Sequence, residues 1–164
     1  MHFISFIYLM IIKNFWFWVV GVAGIAIDQF TKLWIVQILQ LHQTIPLIPG
    51  VFHFTYVQNT GAAFSLFAGG GGWLRWLSFL VSLGLMAWAT FGPRFSRWEQ
   101  LGYGFVLGGA MGNGIDRFLL GYVVDFLDFR LINFPVFNIA DVSINIGIAC
   151  LLFASLFGSP NSSK

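Results

Sequence analysis

The sequence predicts an all-α membrane protein with four transmembrane helices and a small extracytoplasmic β-rich segment. Three observations predict it. Only 9% of the 164 residues are charged and 58% are hydrophobic, whereas a soluble domain carries about 25% charged residues. Four apolar runs each approach the roughly 20 residues that a helix needs to cross hydrocarbon. Between the first two runs lies VFHFTYV (51–57), where Phe52, Phe54 and Tyr56 alternate with His53 and Thr55. That period-two pattern of aromatic and β-branched residues is a strand signal.

In chain order, residues 1–12 are apolar but lack a positive leader and a small-residue cleavage site, so they read as an extension rather than a signal sequence. The first span covers about 15–36 and opens on Phe15, Trp16, Phe17 and Trp18, aromatics suited to a membrane interface. Near its far end DQFTK sets Asp28 four residues before Lys32, the favourable orientation for a pair on one helical face. On the residues alone, a snorkelling lysine paired at a helix end explains this equally well.

Residues 37–68 form the β-rich segment, punctuated by Pro46, Pro49 and Gly50. Strands lying against the membrane offer an extended peptide a platform for strand addition, although a plain connecting hairpin has the same pattern. Glycines 69–72 make a flexible loop before the second span, about 73–91, and GPRFSRWEQ (92–100) is a polar hairpin. The third span, about 101–120, is glycine-rich, as befits close helix approach in a membrane. The strand-like YVVDFLDF follows, and Pro135 opens the last span, about 136–157, before a polar tail.

The chemistry concentrates between Gly108 and Ile146. Four of the six acidic residues (Asp116, Asp125, Asp128 and Asp141) fall in this window, with Asn113, Arg117, Asn138 and Asn145. Ionisable groups are costly in hydrocarbon and mark sites there. Asn113, Asp116 and Arg117 are spaced i, i+3, i+4 and share a face, as do Asn138, Asp141 and Asn145. Four spans bring these groups, the Asp28–Lys32 pair and the loop carrying Asp125 to the same membrane face; of the six acids only Glu99 is left out. Two aspartates held close at such a surface share one proton, the arrangement with which an aspartic protease activates water.

Other classes find little support. A net charge of +2 is too small to argue for nucleic acid, and the lone Cys150 excludes an internal disulfide framework. His2, His42 and His53 are too scattered for a metal site, and Gly69–Gly72 lacks the lysine and helix start of a phosphate loop. No metal or other cofactor is expected. A proton-coupled transporter predicts acids near the bilayer midplane rather than at one end of the spans. A non-catalytic assembly factor, with the acids as interhelical glue, needs no second aspartate facing the first. For orientation, Lys13, Arg94, Arg97 and Lys164 oppose Lys32, Arg75, Arg117 and Arg130. Discounting Lys32 and Arg117, which have aspartates nearby, places both termini in the cytoplasm.

Five stretches, DQFTK (28–32), NTGAAFS (59–65), GNGIDR (112–117), VVDF (123–126) and FNIADVSI (137–144), together resemble the lipoprotein signal peptidase (signal peptidase II) family. They occur in the family's order over about residues 15–157. The resemblance implies a single integral membrane peptidase domain, an aspartic endopeptidase of the bacterial cytoplasmic membrane with its site at the periplasmic or outer face. It implies cleavage of diacylglyceryl-modified prolipoproteins just before the lipidated cysteine, with membrane lipid as surroundings, no cofactor, and a monomer as the acting form.

By the same resemblance Asp125 and Asp141 are the catalytic pair. Asn113, Asp116 and Arg117 support the site or bind substrate. Asn138 lines the site, with an N-cap role equally compatible. Asp28 and Lys32 are structural or substrate-orienting, and Asn59 and Gly61 belong to a segment that closes over the substrate. Asp128 is expected to be an exposed loop charge and Cys150 a core residue. The residues alone leave Asp116 open as a rival member of the pair, and the resemblance decides for Asp125.

Overall fold

The computed structural model describes residues 12–61, 72–132 and 134–157. Most of the expected N-terminal extension, the glycines at 69–71, NTGAAFS beyond Gly61 and the polar tail lie outside the described residues. In chain order the elements are α1 (Phe15–Ile38), β1 (Thr44–Ile48), β2 (Phe52–Asn59), α2 (Gly72–Phe91), α3 (Arg97–Leu119), β3 (Val123–Phe129), a single 3-10 turn (Arg130–Ile132) and α4 (Ile139–Phe157). By length and apolarity α1, α2 and α4 can each cross a membrane. The third expected span, α3, has the length, but its glycines and its Asn113, Asp116 and Arg117 keep its apolarity below theirs.

That composition follows from where α3 lies. It packs against all three other helices, so more of its surface is buried against protein than theirs. A methyl added at Gly24 would lie 3.3 Å from the Gly108 Cα, and one at Gly109 would overlap the Ala140 carbonyl oxygen. Backbones touch here, and only glycine leaves room. Gly109→Ala is therefore expected to cost about 1–3 kcal/mol, the usual penalty of overpacking. Gly84→Ala, with nothing within 4 Å of the new methyl, is the matched control and should be neutral or stabilising. Thermal unfolding in detergent checks both. Equal behaviour of the two variants would contradict the close approach.

α3 also begins earlier than the sequence pattern suggests. Ser96 and Glu99 form a reciprocal capping box at its N-terminus, satisfying two backbone donors that a helix start leaves free. The expected polar hairpin thus loses its second half to the helix, and Glu99 has a structural explanation. At the same end of the molecule Asn14 is fully buried. Its Nδ2 donates to the Ala89 carbonyl at 2.8 Å and its Oδ1 accepts from the Phe95 N–H, which ties α1 to the α2–α3 connection.

The sheet is antiparallel in the order β1-β2-β3. Its third strand comes from 123–129, so it is not confined to the expected segment at 37–68. In β2, Phe54 faces Leu127 and Val57 faces Asp125, so Thr55 and Tyr56 together oppose Phe126. This bulge puts Val57 and Asn59 on the same face as Asp125. The opposite face buries Tyr56, Val124 and Phe126 against Ile35 of α1 and Leu39 just past its end.

The edge of β3 beside Asp125 is not open to an added strand. The Val124 N–H donates to Asp116 and the Phe126 N–H to the Phe137 carbonyl. β1 is the far strand of the sheet, two strands and about 10 Å from β3, and it contains Pro46, which lacks an N–H.

Candidate active site

The polar residues of five elements (α1, β2, α3, β3 and α4) meet beside the crossing of α1, α3 and α4. From α1, Lys32 is buried and its Nζ touches three oxygens: Asp28 at 2.8 Å, Asp116 at 3.0 Å and the side-chain carbonyl of Asn113 at 3.0 Å. Lys32 is only 3% exposed and Asp28 not at all, so this is a buried node rather than a snorkelling pair. Gln29 adds a second donor, reaching Asp116 Oδ1 at 2.9 Å and the Gly112 carbonyl at 3.1 Å. Gln29 stands inside DQFTK, but a neutral amide between an acid and a base carries no signal of this role in the sequence.

Both carboxylates of the node carry a second link. Asp28 Oδ1 accepts from the Ala140 N–H at 2.9 Å and so holds the first turn of α4. Asp116 Oδ2 accepts from the Val124 N–H at 3.0 Å and so holds β3 one residue before Asp125. Asp116 is thereby committed to a cation and a strand, and it does not line the cleft described below.

Asn138 and Asp141 open α4 by capping one another. The Asp141 N–H donates to Asn138 Oδ1 at 3.0 Å, and the Asn138 N–H donates to Asp141 Oδ2 at 3.2 Å. An acid in a first helical turn also meets the positive end of the helix dipole. Asn138 is therefore the helix cap; fully buried, it does not line the cleft as expected but braces it from behind. Its Nδ2 donates to Asp125 Oδ1 at 2.6 Å and to Asn113 Oδ1 at 3.0 Å. Asn113 in turn donates to Asp141 Oδ1 at 2.9 Å. Two asparagines thus hold Asp125 and Asp141 together from behind.

Asn59 completes the shell, donating to Asp125 Oδ2 at 2.9 Å, while its own Oδ1 accepts from the Gly61 N–H. Among the described residues Arg117 makes only long contacts, to the Asn113 carbonyl at 3.4 Å and the Gly61 carbonyl at 3.5 Å. Its guanidinium keeps donors for another partner.

Asp125, Asp141, Asn59, Gly61, Asn113 and Arg117 line one cleft of about 730 Å³, whose remaining wall is largely apolar: Val57, Val123, Phe134, Pro135, Val142 and Ile146 contribute to it. Asp125 is 2% exposed. Burial first, and the neighbouring Asp141 charge second, push its carboxyl up to about 7, against the lowering effect of the bonds from Asn59 and Asn138.

Asp128 corrects the expectation of an exposed loop charge. It is 7% exposed and points to the face of β3 opposite Asp125, as alternation along a strand requires. Thr55 donates to it at 2.6 Å and Arg130 pairs with it at 2.9 Å. Burial pushes its carboxyl up, but these donors outweigh that and hold it below the usual range. Among the described residues no three His, Cys, Asp or Glu side chains gather as a metal site.

The family model for signal peptidase (SPase) II matches residues 20–157. The lipoprotein signal peptidase of Microcystis aeruginosa is 72% identical over 144 residues, covering 87% of this chain and 93% of that protein. That of Trichormus variabilis is 65% identical over 150 residues, covering 92% and 95%. A bacterial membrane enzyme solved by the in meso method at 2.3 Å superposes with a TM-score of 0.79 at 29% identity, over 89% of this chain and 90% of that one. With its family match running from within α1 to the end of α4, the chain belongs to the signal peptidase II family, and it is a membrane peptidase.

Proposed function

We propose that this peptidase is an aspartic endopeptidase that removes the signal peptide from diacylglyceryl-modified prolipoproteins, cutting just before the lipidated cysteine. The observation that carries the proposal is the convergence of Asp125 and Asp141 on one cleft through Asn113 and Asn138. The carboxyls divide the work by environment. Asp125, buried and raised, enters protonated. Asp141, at the start of α4 with two N–H donors on its oxygens, enters as the carboxylate.

Asp141 takes a proton from a water as the water oxygen bonds to the scissile carbonyl carbon. Asp125 gives its proton to the carbonyl oxygen, producing a neutral gem-diol. Asp141 then passes its proton to the amide nitrogen, the C–N bond breaks, and Asp125 recovers a proton from the gem-diol. The products are a new carboxyl end on the signal peptide and a free amine on the lipidated cysteine.

The pH dependence follows from Asp125. Its proton is needed and leaves as pH rises through about 7, so kcat/KM should decline on the alkaline side with a midpoint near that value. A profile flat between about pH 6 and about pH 9 would contradict the assignment.

The reading includes four spans, α3 being the one shielded from lipid by the others, in a single membrane domain that acts as a monomer. The membrane is the bacterial cytoplasmic membrane. With Lys32 and Arg130 in ion pairs, the cations free of such pairs among the described residues are Lys13, Arg94 and Arg97 at one end and Arg75 and Arg117 at the other. This favours cytoplasmic termini and an outer-face site. Purified protein given one prolipoprotein with and without its diacylglyceryl group tests the substrate class. Mass spectrometry of the product should place the cut before the cysteine, in the lipidated form only. Equal cleavage of both forms would overturn the substrate assignment.

A further inference from the structure

Asn145 lines the cleft one turn beyond Asp141 on the same face of α4, and nothing in the mechanism uses it. Its Nδ2 donates to the Asp141 main-chain oxygen at 2.9 Å. That oxygen can only accept, so the amide nitrogen must face the helix and the side-chain carbonyl must face away from it. The residue is exposed, and no described group donates to Oδ1. α4 is among the helices apolar enough to span a membrane, and an amide at this depth is costly unless paired. The nearby Ser143, by contrast, is paired, donating to the Phe105 carbonyl at 2.8 Å.

The missing partner has to be a donor. The diacylglyceryl group carries ester oxygens and no N–H or O–H, so the lipid part of the substrate cannot supply one. A signal peptide can. Within its spanning helix the main-chain N–H groups are satisfied internally, but the residues leading into the dyad must unwind to present the scissile bond, and their N–H groups then need acceptors away from bulk water. Asn145 lies four residues, about 6 Å, deeper along α4 than Asp141. That is the span of about two residues of extended chain.

We infer that Asn145 is a substrate-binding residue whose side-chain carbonyl accepts a main-chain N–H of the signal peptide two or three residues before the scissile bond. The inference rests on the peptidase reading above. It also divides the cleft by chemistry: Arg117 offers donors to substrate carbonyls, and Asn145 offers an acceptor to substrate N–H.

The test pairs protein and substrate changes. Lipidated precursors are made with an ester in place of the amide N–H at each of the three residues before the cut. They are assayed with the wild-type protein, Asn145→Leu and Asn145→Thr. With the wild-type protein, one ester near the second or third position should lower kcat/KM by about tenfold, and Asn145→Leu should lower it equally for the all-amide precursor. The loss should fall mainly on KM. Combining the two changes should cost no more than either alone, while Asn145→Thr, which keeps an acceptor oxygen, should recover part of the rate. Unchanged thermal unfolding of Asn145→Leu separates binding from folding. Full activity of Asn145→Leu, or additive losses as expected if the carbonyl meets only water, would overturn the inference. A wild-type protein that cut no lipidated precursor would overturn the peptidase reading itself.

Discussion

Asp125→Asn and Asp141→Asn should each lower the cleavage rate by about 10³-fold or more, since each removes one half of a paired proton transfer. The expected loss is large because asparagine keeps the size of the side chain and cannot exchange the proton. It should not come from unfolding. Asp125 accepts from Asn138 and Asn59 on its two oxygens, and Asp141 accepts from Asn113 and the Asn138 N–H on its own two. An asparagine in either place therefore gives up one hydrogen bond, worth about 1 kcal/mol. Asparagine at 125 is also neutral, so it carries none of the cost that burial imposes on a charged carboxylate there. Rate and thermal unfolding measured on the same preparations check this. A variant that folds and retains near-normal turnover would remove its aspartate from the pair.

Lys32→Met should give the largest loss of stability, about 3–5 kcal/mol, the usual result of removing one partner from a buried ion cluster. Without the ammonium, Asp28 and Asp116 face each other buried, with Gln29 as the side-chain donor between them. The damage should spread to the site, because Asp28 holds the start of α4 and Asp116 holds β3 beside Asp125. Adding Asp28→Asn and Asp116→Asn to Lys32→Met should recover a large part of the stability, since the triple variant buries no net charge. Denaturation of the three forms in detergent measures this. A loss below about 1 kcal/mol for Lys32→Met would show that the cluster is not carrying charge.

What was readable in the sequence was local. The i, i+4 spacing of Asp28 and Lys32, the shared face of Asn113, Asp116 and Arg117, and that of Asn138, Asp141 and Asn145 follow from helical periodicity alone. VFHFTYV announced β2 by its alternation. The relations across the chain were not readable. The third strand pairs residues 52–59 with 123–129, and no local pattern specifies a partner some seventy residues away. Asp128 looked like a loop charge because its two partners, Thr55 and Arg130, are brought to it only by that pairing and the turn after it. Asn138 looked like either a cap or a site residue. Its carbonyl caps α4 while its amide nitrogen reaches Asp125 from behind the cleft, which Asn138 itself does not line. The early start of α3 was hidden by Arg97 and Glu99, which read as loop residues until Ser96 is recognised as the cap.

The central claim is that the two carboxyls activate a water directly. Single-turnover cleavage of a lipidated precursor in ¹⁸O-labelled water, with hydroxylamine present as a competing nucleophile, tests it. Direct attack predicts one solvent oxygen in the new carboxyl end of the signal peptide and no hydroxamate. A hydroxamate formed at the same rate as cleavage would mean that a side chain attacks first, and the account of Asp125 and Asp141 would be wrong.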